Sequence, residues 1–405
     1  MGAGPKIRAR RLVSRFRRSY HFAARSRTNV GTTGDTSNLM ILVRLLDLTF
    51  LSRTRQNAYR NVKSAALALG VLMLAGAGHD AGALAQPVAE FYRGKNITML
   101  IGYTTGGGYD LYARVLSRHM GRHIPGNPSI VPQNMPGAGS LRLANFLYNA
   151  APRDGTTIGM IGRGLAVEPL IGASATQYDG RKFTWLGSGS DQVSLCVTWH
   201  TSPVKTWDDM RVRPFRVAGE GSGSDPDMFA IMLKNLMGVR LRIVSGYPGG
   251  AEMNLAMERG EVDGRCGWSW TSIKITHPDW VTEKRINLLL QMALQKSADI
   301  PQVPLVMDLT TNDRQRQILK LLLSRQQMGW PFLAPPGLPA DRAQALRRAF
   351  DETMTDPDFL AEAKERQLEV NPMSGAAIDK LVRELYETAS DVTGATKAVI
   401  AEGAR

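Results

Sequence analysis

Glycine-rich segments between strand-like and helix-like patterns constrain this chain more than any other feature. The segment IGYTTGGGYD (residues 101–110) follows an apolar β-rich run and leads into a helical pattern. Similar junctions are MPGAGS (135–140), GEGSGSD (219–225) and SGYPGGAE (245–252). Glycine is entropically costly in ordered structure, so its repetition at these junctions indicates that something approaches the backbone too closely for side chains.

The order of the patterns predicts an α/β fold. Strand-like runs at 96–101, 129–133, 156–161, 215–218 and 240–244 alternate with helical patterns. Such alternation is typical of mainly parallel sheets. Two of the glycine junctions lie about 145 residues apart, which favours two lobes that share a crevice. The last third of the chain is helical, with predicted helices at 313–326, 340–354, 359–367 and 376–400.

The net charge of +14 is concentrated at the start of the chain. Residues 1–63 contain fourteen Lys and Arg but only two Asp, so they contribute +12 and leave +2 for the rest. A folded nucleic-acid-binding surface is therefore not expected. A basic-tailed nucleic-acid binder remains an alternative only if residues 1–63 are retained in the mature protein.

The pattern that follows this basic region predicts a secretory signal peptide. Basic residues precede the apolar run AALALGVLMLAGA (65–77), and the small-residue site ALA follows at 83–85. The apolar run is shorter than the roughly 20 residues that a membrane-spanning helix needs. We expect cleavage after Ala85 and a periplasmic location for the mature chain. Residues 1–59 are either an upstream extension created by a misassigned start codon or a genuine basic tail.

Two cysteines, Cys196 and Cys266, lie in the part expected to be exported. An oxidising compartment permits one bridge between them, while two separate buried thiols are the alternative.

Glycine-rich helix N-termini are suited to binding anions. Unpaired backbone N–H groups and the helix dipole favour negative charge there. The phosphate-binding pattern G-x-x-x-x-G-K-[ST] is absent, and the loop at 102–108 lacks G-x-G-x-x-G, so a small carboxylate fits better than a nucleotide. Tight turns without a ligand are the alternative for any single loop.

Catalytic and metal-binding patterns are weak. His119 and His123 have a helical spacing that a metal accepts, but no H-E-x-x-H pattern accompanies them, and two exposed helix-end imidazoles are the simpler interpretation. No G-x-S-x-G elbow is present. Catalytic residues, a metal and a cofactor are therefore not expected. Trp268 and Trp270 either line the crevice or pack in the core.

At these loops the sequence resembles the tripartite tricarboxylate transporter (Bug-type) extracytoplasmic solute receptors. The resemblance runs from about residue 91 to 399. The motifs that carry it, in order, are GGGYDLYAR (106–114), QNMPGAG (133–139), RDGT (153–156), YPGGA (247–251), GEVD (260–263), PPGLP (335–339) and DPDF (356–359).

The resemblance implies a type II periplasmic-binding-protein fold, in which crossing strands join two lobes around a ligand cleft. We place the crossings near 193–199 and 286–292. Lobe 1 would comprise 86–198 and 289–405, and lobe 2 would comprise 199–288. The implied role is capture of a di- or tricarboxylate, an acidic amino acid or an aromatic acid by a monomeric receptor, which then delivers it to membrane permease subunits or to a sensor protein.

The resemblance also implies which residues hold the ligand. Backbone amides of the first loop would grip a carboxylate. Independently of the resemblance, Arg163 follows the strand-like run at 156–161, where it either pairs with a ligand carboxylate or is an ordinary surface arginine. The family's common proline is replaced by Thr104 and Thr105, and Gly108 is an addition, so the ligand identity stays open. The predicted ligand-binding residues are Tyr103, Thr104, Thr105, Gly106, Gly107, Gly108, Asp110 (or a helix cap), Arg163, Ser222, Gly223, Ser224, Tyr247, Gly249 and Gly250.

An enzyme built on the same two-lobe scaffold is the main alternative function, because a fold does not fix an activity. Such an enzyme would require a reactive constellation of side chains, and product formation from a bound acid would establish it.

Overall fold

Two β-sheets flanked by helices make up the residues described by the computed structural model, which are 88–172, 175–221 and 223–401. The strands are β1 Asn96–Ile101, β2 Ser129–Asn134, β3 Thr157–Met160, β4 Thr184–Ser188, β5 Ser194–Trp199, β6 Phe215–Ala218, β7 Leu241–Val244, β8 Gly264–Ser269, β9 Ile286–Met292, β10 Pro331–Ala334 and β11 Met373–Ser374. The predicted leader and signal peptide at 1–85 lie outside the described residues.

Helices follow most of these strands, as the sequence predicts. They are α1 Val88–Tyr92, α2 Gly108–Met120, α3 Leu141–Asn149, α4 Glu168–Ile171, α5 Trp207–Val212, α6 Asp225–Met237, α7 Gly250–Glu258, α8 Trp270–Thr276, α9 Pro278–Thr282, α10 Asp313–Leu323, α11 Ala340–Thr353, α12 Pro357–Glu365, α13 Gly375–Tyr386 and α14 Ser390–Ala401. A short 3₁₀ turn, Arg163–Ala166, follows β3.

Both sheets are mixed, which corrects the expectation of mainly parallel sheets. The first sheet has the order β11-β4-β10-β3-β1-β2, and the second has the order β7-β6-β8-β5-β9. The β1–β2, β1–β3, β6–β7 and β6–β8 pairs are parallel, whereas every pair that involves β5, β10 or β11 is antiparallel. The reason is the chain path: it leaves the first sheet after β4, builds the second sheet, and returns at β10.

The segments predicted as crossings are β5 and β9. They pair with each other in antiparallel register inside the second sheet, from Ser194 opposite Met292 to Trp199 opposite Ile286. The lobe boundaries that the resemblance implies stay a prediction.

The glycine-rich loops are held in place by the buried strands and helices that precede and follow them. In α2, Tyr112, Val115 and Leu116 are buried on one side of the helix. β3 is buried along its whole length, as is typical of a strand covered on both faces. These packed elements hold the loops that follow β1 and β3 at one end of the first sheet.

The predicted helix at 376–400 is two helices, which corrects the sequence interpretation. The amide of Glu387 donates to the carbonyl of Arg383 and ends α13, and the amides of Val392 and Thr393 return to the carbonyl of Ala389 at the start of α14. The break changes the packing partner: α13 packs on β4, whereas α14 packs on α6 and α10. Continuous helical periodicity cannot reveal such a change of direction.

Cys196 and Cys266 form a disulfide, which decides the open alternative. The bridge joins neighbouring strands β5 and β8, whose register shifts next to Cys196. Both cysteines are fully buried.

No helix among the described residues is both long and apolar enough to cross a membrane.

Candidate ligand-binding site

A cavity of about 670 Å³, counted out to its open mouth, lies between the loops of the two sheets. The enclosed part of this cavity is about 80 Å³, and the larger figure includes the solvent at its open mouth. The first sheet supplies Tyr103, residues 106–109, Arg163 and Trp330, and the second supplies Glu220, Asp225, Gly250, Asn254, Arg265, Trp268 and His277, among others.

The first glycine loop presents free backbone amides to this cavity. Gly106 has a φ of +85°, and its amide donates to Oδ2 of Asp110 at 3.0 Å. Gly107 is the N-cap of α2, and a Cβ built on it would meet nothing within 4 Å. In the described parts of the chain, no acceptor receives the amide of Gly107 or that of Gly108. The N-terminus of α2 therefore offers two donors and its dipole to a ligand.

Asp110 anchors the loop. Its carboxylate accepts from the Gly106 amide, from Nε of Arg114 at 2.9 Å and from Nδ2 of Asn134 at 2.8 Å. Burial raises the pKa of Asp110, but these hydrogen bonds outweigh it and hold the pKa below the usual value. Gly107, not Asp110, is the N-cap of α2; Asp110 lies in the first turn of the helix and holds the amide of Gly106.

Aromatic rings form one wall of the cavity. Tyr103 stacks on Tyr109 with ring centroids 4.4 Å apart, and Tyr109 meets the edge of Trp330 at 4.8 Å. Burial raises the pKa of Tyr103 well above its usual value and that of Tyr109 to about 12, so both phenols are neutral at physiological pH. This wall supplies apolar surface along with hydroxyl groups.

Arg163 lines the cavity as a buried residue, not as the surface arginine that was the alternative. Its Nε donates to Oδ2 of Asp225 at 2.6 Å, Nη1 to the carbonyl of Gly329 at 3.3 Å, and Nη2 to Oγ of Ser194 at 3.2 Å. A guanidinium has five N–H donors, so two remain beyond these three bonds. Asp225 also faces Nη1 of the buried Arg325 at 3.4 Å.

A second buried arginine, Arg265, comes from β8. Its Nη1 donates to the carbonyl of Gly250 at 3.1 Å and to Oδ1 of Asn254 at 3.0 Å, and the guanidinium lies over the ring of Trp268. Its Nε is buried and has no hydrogen-bond acceptor among the described residues. Burial lowers the pKa of Arg265 to about 10, which leaves it charged at neutral pH.

Glu220 is the acidic residue in the glycine loop after β6. It is 8% exposed, and burial raises the pKa of its carboxyl to about 8, with Asp227 and Asp225 raising it further and Arg265 opposing them. Asp227 is differently placed, because its Oδ2 accepts the amides of Glu220 and Gly221 at 2.6 and 2.8 Å. Asp227 therefore holds the loop, and Glu220 faces the cavity.

Loops of the two sheets touch beside the cavity. Oγ1 of Thr104 donates to Oε2 of Glu252 at 3.1 Å. A Cβ on Gly139 would lie 2.7 Å from Cβ of Ser224, so only glycine fits there. These contacts bring the first-sheet and second-sheet loops together.

The structure brings only some of the predicted ligand-binding residues to the cavity. Those that line it are Tyr103, Gly106, Gly107, Gly108, Arg163 and Gly250. Thr104, Thr105, Asp110, Gly223, Ser224, Tyr247 and Gly249 lie outside the cavity lining. Ser222 lies outside the described residues. Ser224 instead donates to the Gly221 carbonyl, and Gly249 packs against Thr104.

Sequence reasoning missed Glu220, Asn254, Arg265 and His277 as lining residues. The sequence places Glu220 between glycines directly after the strand-like run at 215–218 and Arg265 directly after Gly264, but which of the charged residues is enclosed depends on the pairing of β6 with β8. A charged side chain at the end of a buried strand is a candidate for the site.

The remaining motif residues have structural partners. Trp268 lines the cavity, whereas Nε1 of Trp270 donates to Asp299 at 3.0 Å. The expectation of exposed imidazoles is wrong for His119 and His123. They are partly buried, and Nε2 lies 2.8 Å from Glu362 in the first and 2.6 Å from Asp356 in the second. α12 packs over this face of α2 and covers them.

Two mixed sheets with a cavity between their loops place this chain among the two-sheet α/β proteins with a cleft suited to a small ligand. Residues 112–395 match the sequence profile of the tripartite tricarboxylate transporter family receptor, and the chain belongs to this family. A UPF0065 protein from the gbd 5′ region of Cupriavidus necator is 26% identical over 285 residues, which cover 68% of this chain and 79% of that protein.

Solved structures share the fold. The periplasmic binding protein BugD aligns with a TM-score of 0.62 at 19% identity, covering 76% of this chain and 98% of BugD. MatC from Rhodopseudomonas palustris, solved with bound malate, aligns with a TM-score of 0.59 at 20% identity, and the alignment covers 74% of this chain and 99% of MatC. A second R. palustris protein, solved with adipate, aligns with a TM-score of 0.59 at 17% identity, and the alignment covers 75% of this chain and 97% of that protein.

Proposed function

We propose that this protein is a periplasmic receptor that binds a small carboxylate in the cavity between the two sheets and delivers it, unaltered, to a tripartite tricarboxylate-type permease. The observation that carries the proposal is the pair of amides at Gly107 and Gly108, at the N-terminus of a 13-residue helix, which donate to no acceptor among the described residues. Amides in this position hold anions without any side chain.

The charges around the cavity support an anionic ligand. Arg163 and Arg265 are both buried in its wall, and the acidic Asp225 is already paired with Arg163. Charge-assisted hydrogen bonds contribute roughly 1.5–3 kcal/mol each, so three of them contribute roughly 4.5–9 kcal/mol toward a binding free energy that is about −8 kcal/mol at micromolar affinity.

The relatives narrow the ligand class. MatC was solved with malate and the second R. palustris protein with adipate, both small dicarboxylates. At 20% and 17% identity these likenesses supply candidate ligands for testing. Export through the predicted signal peptide and transfer to permease subunits are parts of the same proposal.

A thermal-shift screen of the purified protein tests this function. A ligand that binds only the native state stabilises it by RT ln(1 + [L]/Kd), so succinate at a hundredfold excess over Kd adds about 2.7 kcal/mol. Succinamide, which has the same length without charge, is the matched control. Shifts with neutral or cationic solutes alone, and none with carboxylates, would contradict the proposal.

A separate measurement tests whether the protein leaves the bound acid chemically unaltered. After prolonged incubation, mass spectrometry of the bound acid should return the starting mass. A product of different mass would establish the enzymatic alternative.

A further inference from the structure

Three polar side chains in the cavity wall form a hydrogen-bonded chain that runs from β8 through α7 to the end of α8. Nη1 of Arg265 donates to Oδ1 of Asn254 at 3.0 Å, and Nδ2 of Asn254 lies 2.8 Å from Nε2 of His277. All three residues line the cavity, and His277 is the C-cap of α8. Asn254 is therefore the link between the guanidinium and the imidazole.

Donor and acceptor chemistry fixes the direction of this chain. A guanidinium can only donate, so the oxygen of the Asn254 amide faces Arg265 and the NH₂ group of the amide faces His277. Nε2 of His277 must then accept, which places the ring proton on Nδ1 and leaves the imidazole neutral. The chain of hydrogen bonds is complete only while His277 is neutral.

Protonation of His277 would break this chain. With a proton on Nε2, the imidazolium presents a donor to the NH₂ group of Asn254, and two donors cannot bond to each other. If the amide turns to offer its oxygen to His277, its NH₂ group faces Nη1 of Arg265 instead. Arg265 then keeps only the carbonyl of Gly250 as an acceptor, with a second positive charge nearby.

Aromatic packing holds the imidazole in place. The ring of His277 stacks on Trp280 with centroids 4.1 Å apart, and it meets the edge of Trp268 at 5.8 Å. Because Trp268 also lies under the guanidinium of Arg265, both ends of the chain pack on one indole ring. The imidazole therefore cannot turn away from Asn254 without disturbing this packing.

Charged groups face His277 from each neighbouring element. They are Asp279 from α9, Glu258 from the end of α7, Arg265 from β8 and Arg285 from the segment after α9. Burial lowers the pKa of His277, the two acidic residues oppose this, and the two arginines add to it, so that the pKa lies below the usual value of 6.5. His277 is accordingly neutral at pH 7.5 and takes up its proton in mild acid.

We propose that Asn254 and neutral His277 hold the guanidinium of Arg265 in the cavity wall, and that protonation of His277 in acid frees the guanidinium and weakens ligand binding. Asn254 and His277 are positioning residues, because they act through Arg265. This inference rests on the proposed function, in which the ligand is an anion.

Two electrostatic effects of acid oppose each other, and their sizes decide the sign. The imidazolium itself attracts an anion, but His277 is half-buried, so solvent screens its charge. Arg265 is 4% exposed, and a charge enclosed in this way acts more strongly at short range. Displacement of the guanidinium therefore outweighs the new charge, and affinity should fall as pH falls.

Titration calorimetry with the full chain at pH 7.5 and pH 5 tests this, with malate, succinate and adipate as probes. His277→Gln is the reference protein, because the oxygen of a glutamine amide can accept from Asn254 and the amide does not ionise. The carboxyls of the probe, and that of Glu220, whose pKa burial raises to about 8, titrate in both proteins. The quantity compared is therefore the ratio of the wild-type Kd to the His277→Gln Kd at each pH.

We expect this ratio to rise at least about threefold from pH 7.5 to pH 5. The reason is that the neutral fraction of a histidine falls about tenfold for each pH unit below its pKa. His200→Gln is the matched control. It removes an exposed histidine that follows β5 and lies outside the cavity lining, and it should keep the acid response of the wild type.

A second variant separates positioning from a structural role. His277→Leu fills the space of the ring but cannot accept from Asn254, so it should bind weakly at both pH values. His277→Gln restores an acceptor and should bind at least about threefold more tightly than His277→Leu at pH 7.5. The comparison of the wild type with His277→Gln decides the question even if His277→Leu does not fold.

The outcomes distinguish this inference from the proposed function. A ratio of Kd values that stays constant or falls between pH 7.5 and pH 5 overturns the role of His277 and leaves a carboxylate receptor. Equal affinities of His277→Leu and His277→Gln at pH 7.5 overturn it as well, because Asn254 would then need no acceptor at this position. Absence of wild-type binding by all three acids, with clear binding of an amine or a sugar, overturns the proposed function.

Discussion

Arg163 and Asp225 form a buried ion pair that links the two sheets, with Nε of the arginine 2.6 Å from Oδ2 of the aspartate. Arg163 begins the turn after β3, and Asp225 begins α6 after β6. The same carboxylate faces Arg325, so one aspartate balances two buried arginines. The charge of Asp225 therefore matters both for stability and for the shape of the cavity.

Replacing Asp225 by Ala should destabilise the protein by about 3–5 kcal/mol, because removal of one partner leaves an uncompensated buried charge. Urea unfolding followed by circular dichroism measures the loss. Asp208→Ala removes an aspartate whose side chain is 88% exposed, and it should stay within about 0.5 kcal/mol of wild type. Equal effects of the two changes would mean that the buried pair contributes nothing particular.

A substitution at Gly107 should change ligand affinity without changing the stability of the fold. Its φ of −83° suits any residue, and a Cβ there meets no atom, so Gly107→Ala should leave the free energy of unfolding within about 0.5 kcal/mol. The methyl group would instead occupy the space that a ligand needs beside the amide. We expect carboxylate affinity to fall at least tenfold, which costs about 1.4 kcal/mol.

Gly394→Ala is the matched control for that experiment. Gly394 lies in α14, away from the cavity, and its Cβ would also meet nothing. Its affinity should equal that of wild type. An unchanged affinity in Gly107→Ala would show that the ligand does not approach this part of the loop.

Local chemistry explains why the first loop could be located from sequence. The glycines at 106–108 indicate a helix N-terminus with accessible amides, and the strand-like run predicted at 96–101 coincides with β1. The same reasoning failed for Glu220 and Arg265, whose burial depends on the parallel pairing of β6 with β8. No local pattern reports which charged residue a neighbouring strand will enclose.

Contacts between segments that are distant in sequence could not be predicted either, because they too depend on tertiary packing. Thr104 looked like a ligand contact because it stands beside the glycines, but it bonds to Glu252 across 148 positions of sequence. The break between α13 and α14 likewise follows from two different packing partners. Sequence periodicity identifies the elements, and tertiary packing assigns the partners.

The Cys196–Cys266 disulfide should contribute to stability mainly by restricting the unfolded chain. The bridge spans 70 positions of sequence, for which loop-closure entropy gives about 4 kcal/mol. Replacing both cysteines by Ala should lower the free energy of unfolding by about 2–4 kcal/mol. Ligand affinity should fall too, because Arg265 and Gly267, on either side of Cys266, line the cavity.

Reduction provides the control for the disulfide. Dithiothreitol should lower the unfolding midpoint of the wild type toward that of the double variant and leave the double variant unchanged. A wild-type midpoint insensitive to full reduction, verified by thiol titration, would contradict this role.

Glu362 should make stability fall in acid. The Arg118 guanidinium that bonds to it holds its pKa down, burial opposes this, and His119 and Arg366 add further hydrogen bonds; the pKa falls from 4.5 to about 2. A depressed folded-state pKa stabilises the protein above the unfolded value of 4.5, and this contribution is lost as pH falls toward 2. Glu362→Gln should therefore cost roughly 1 kcal/mol at pH 7, because the arginines are partly solvated, and nothing near pH 2.

Urea unfolding at pH 7, 5, 4, 3 and 2 measures this dependence. The difference in unfolding free energy between wild type and Glu362→Gln should shrink steadily between pH 4.5 and pH 2, and should be constant from pH 5 to pH 7. Glu365→Gln, an exposed change on the same helix α12, should show no such narrowing. If the wild type and Glu362→Gln respond to acid in parallel, the ion pairs between α2 and α12 do not act through this carboxylate, and acid sensitivity must arise elsewhere in the fold.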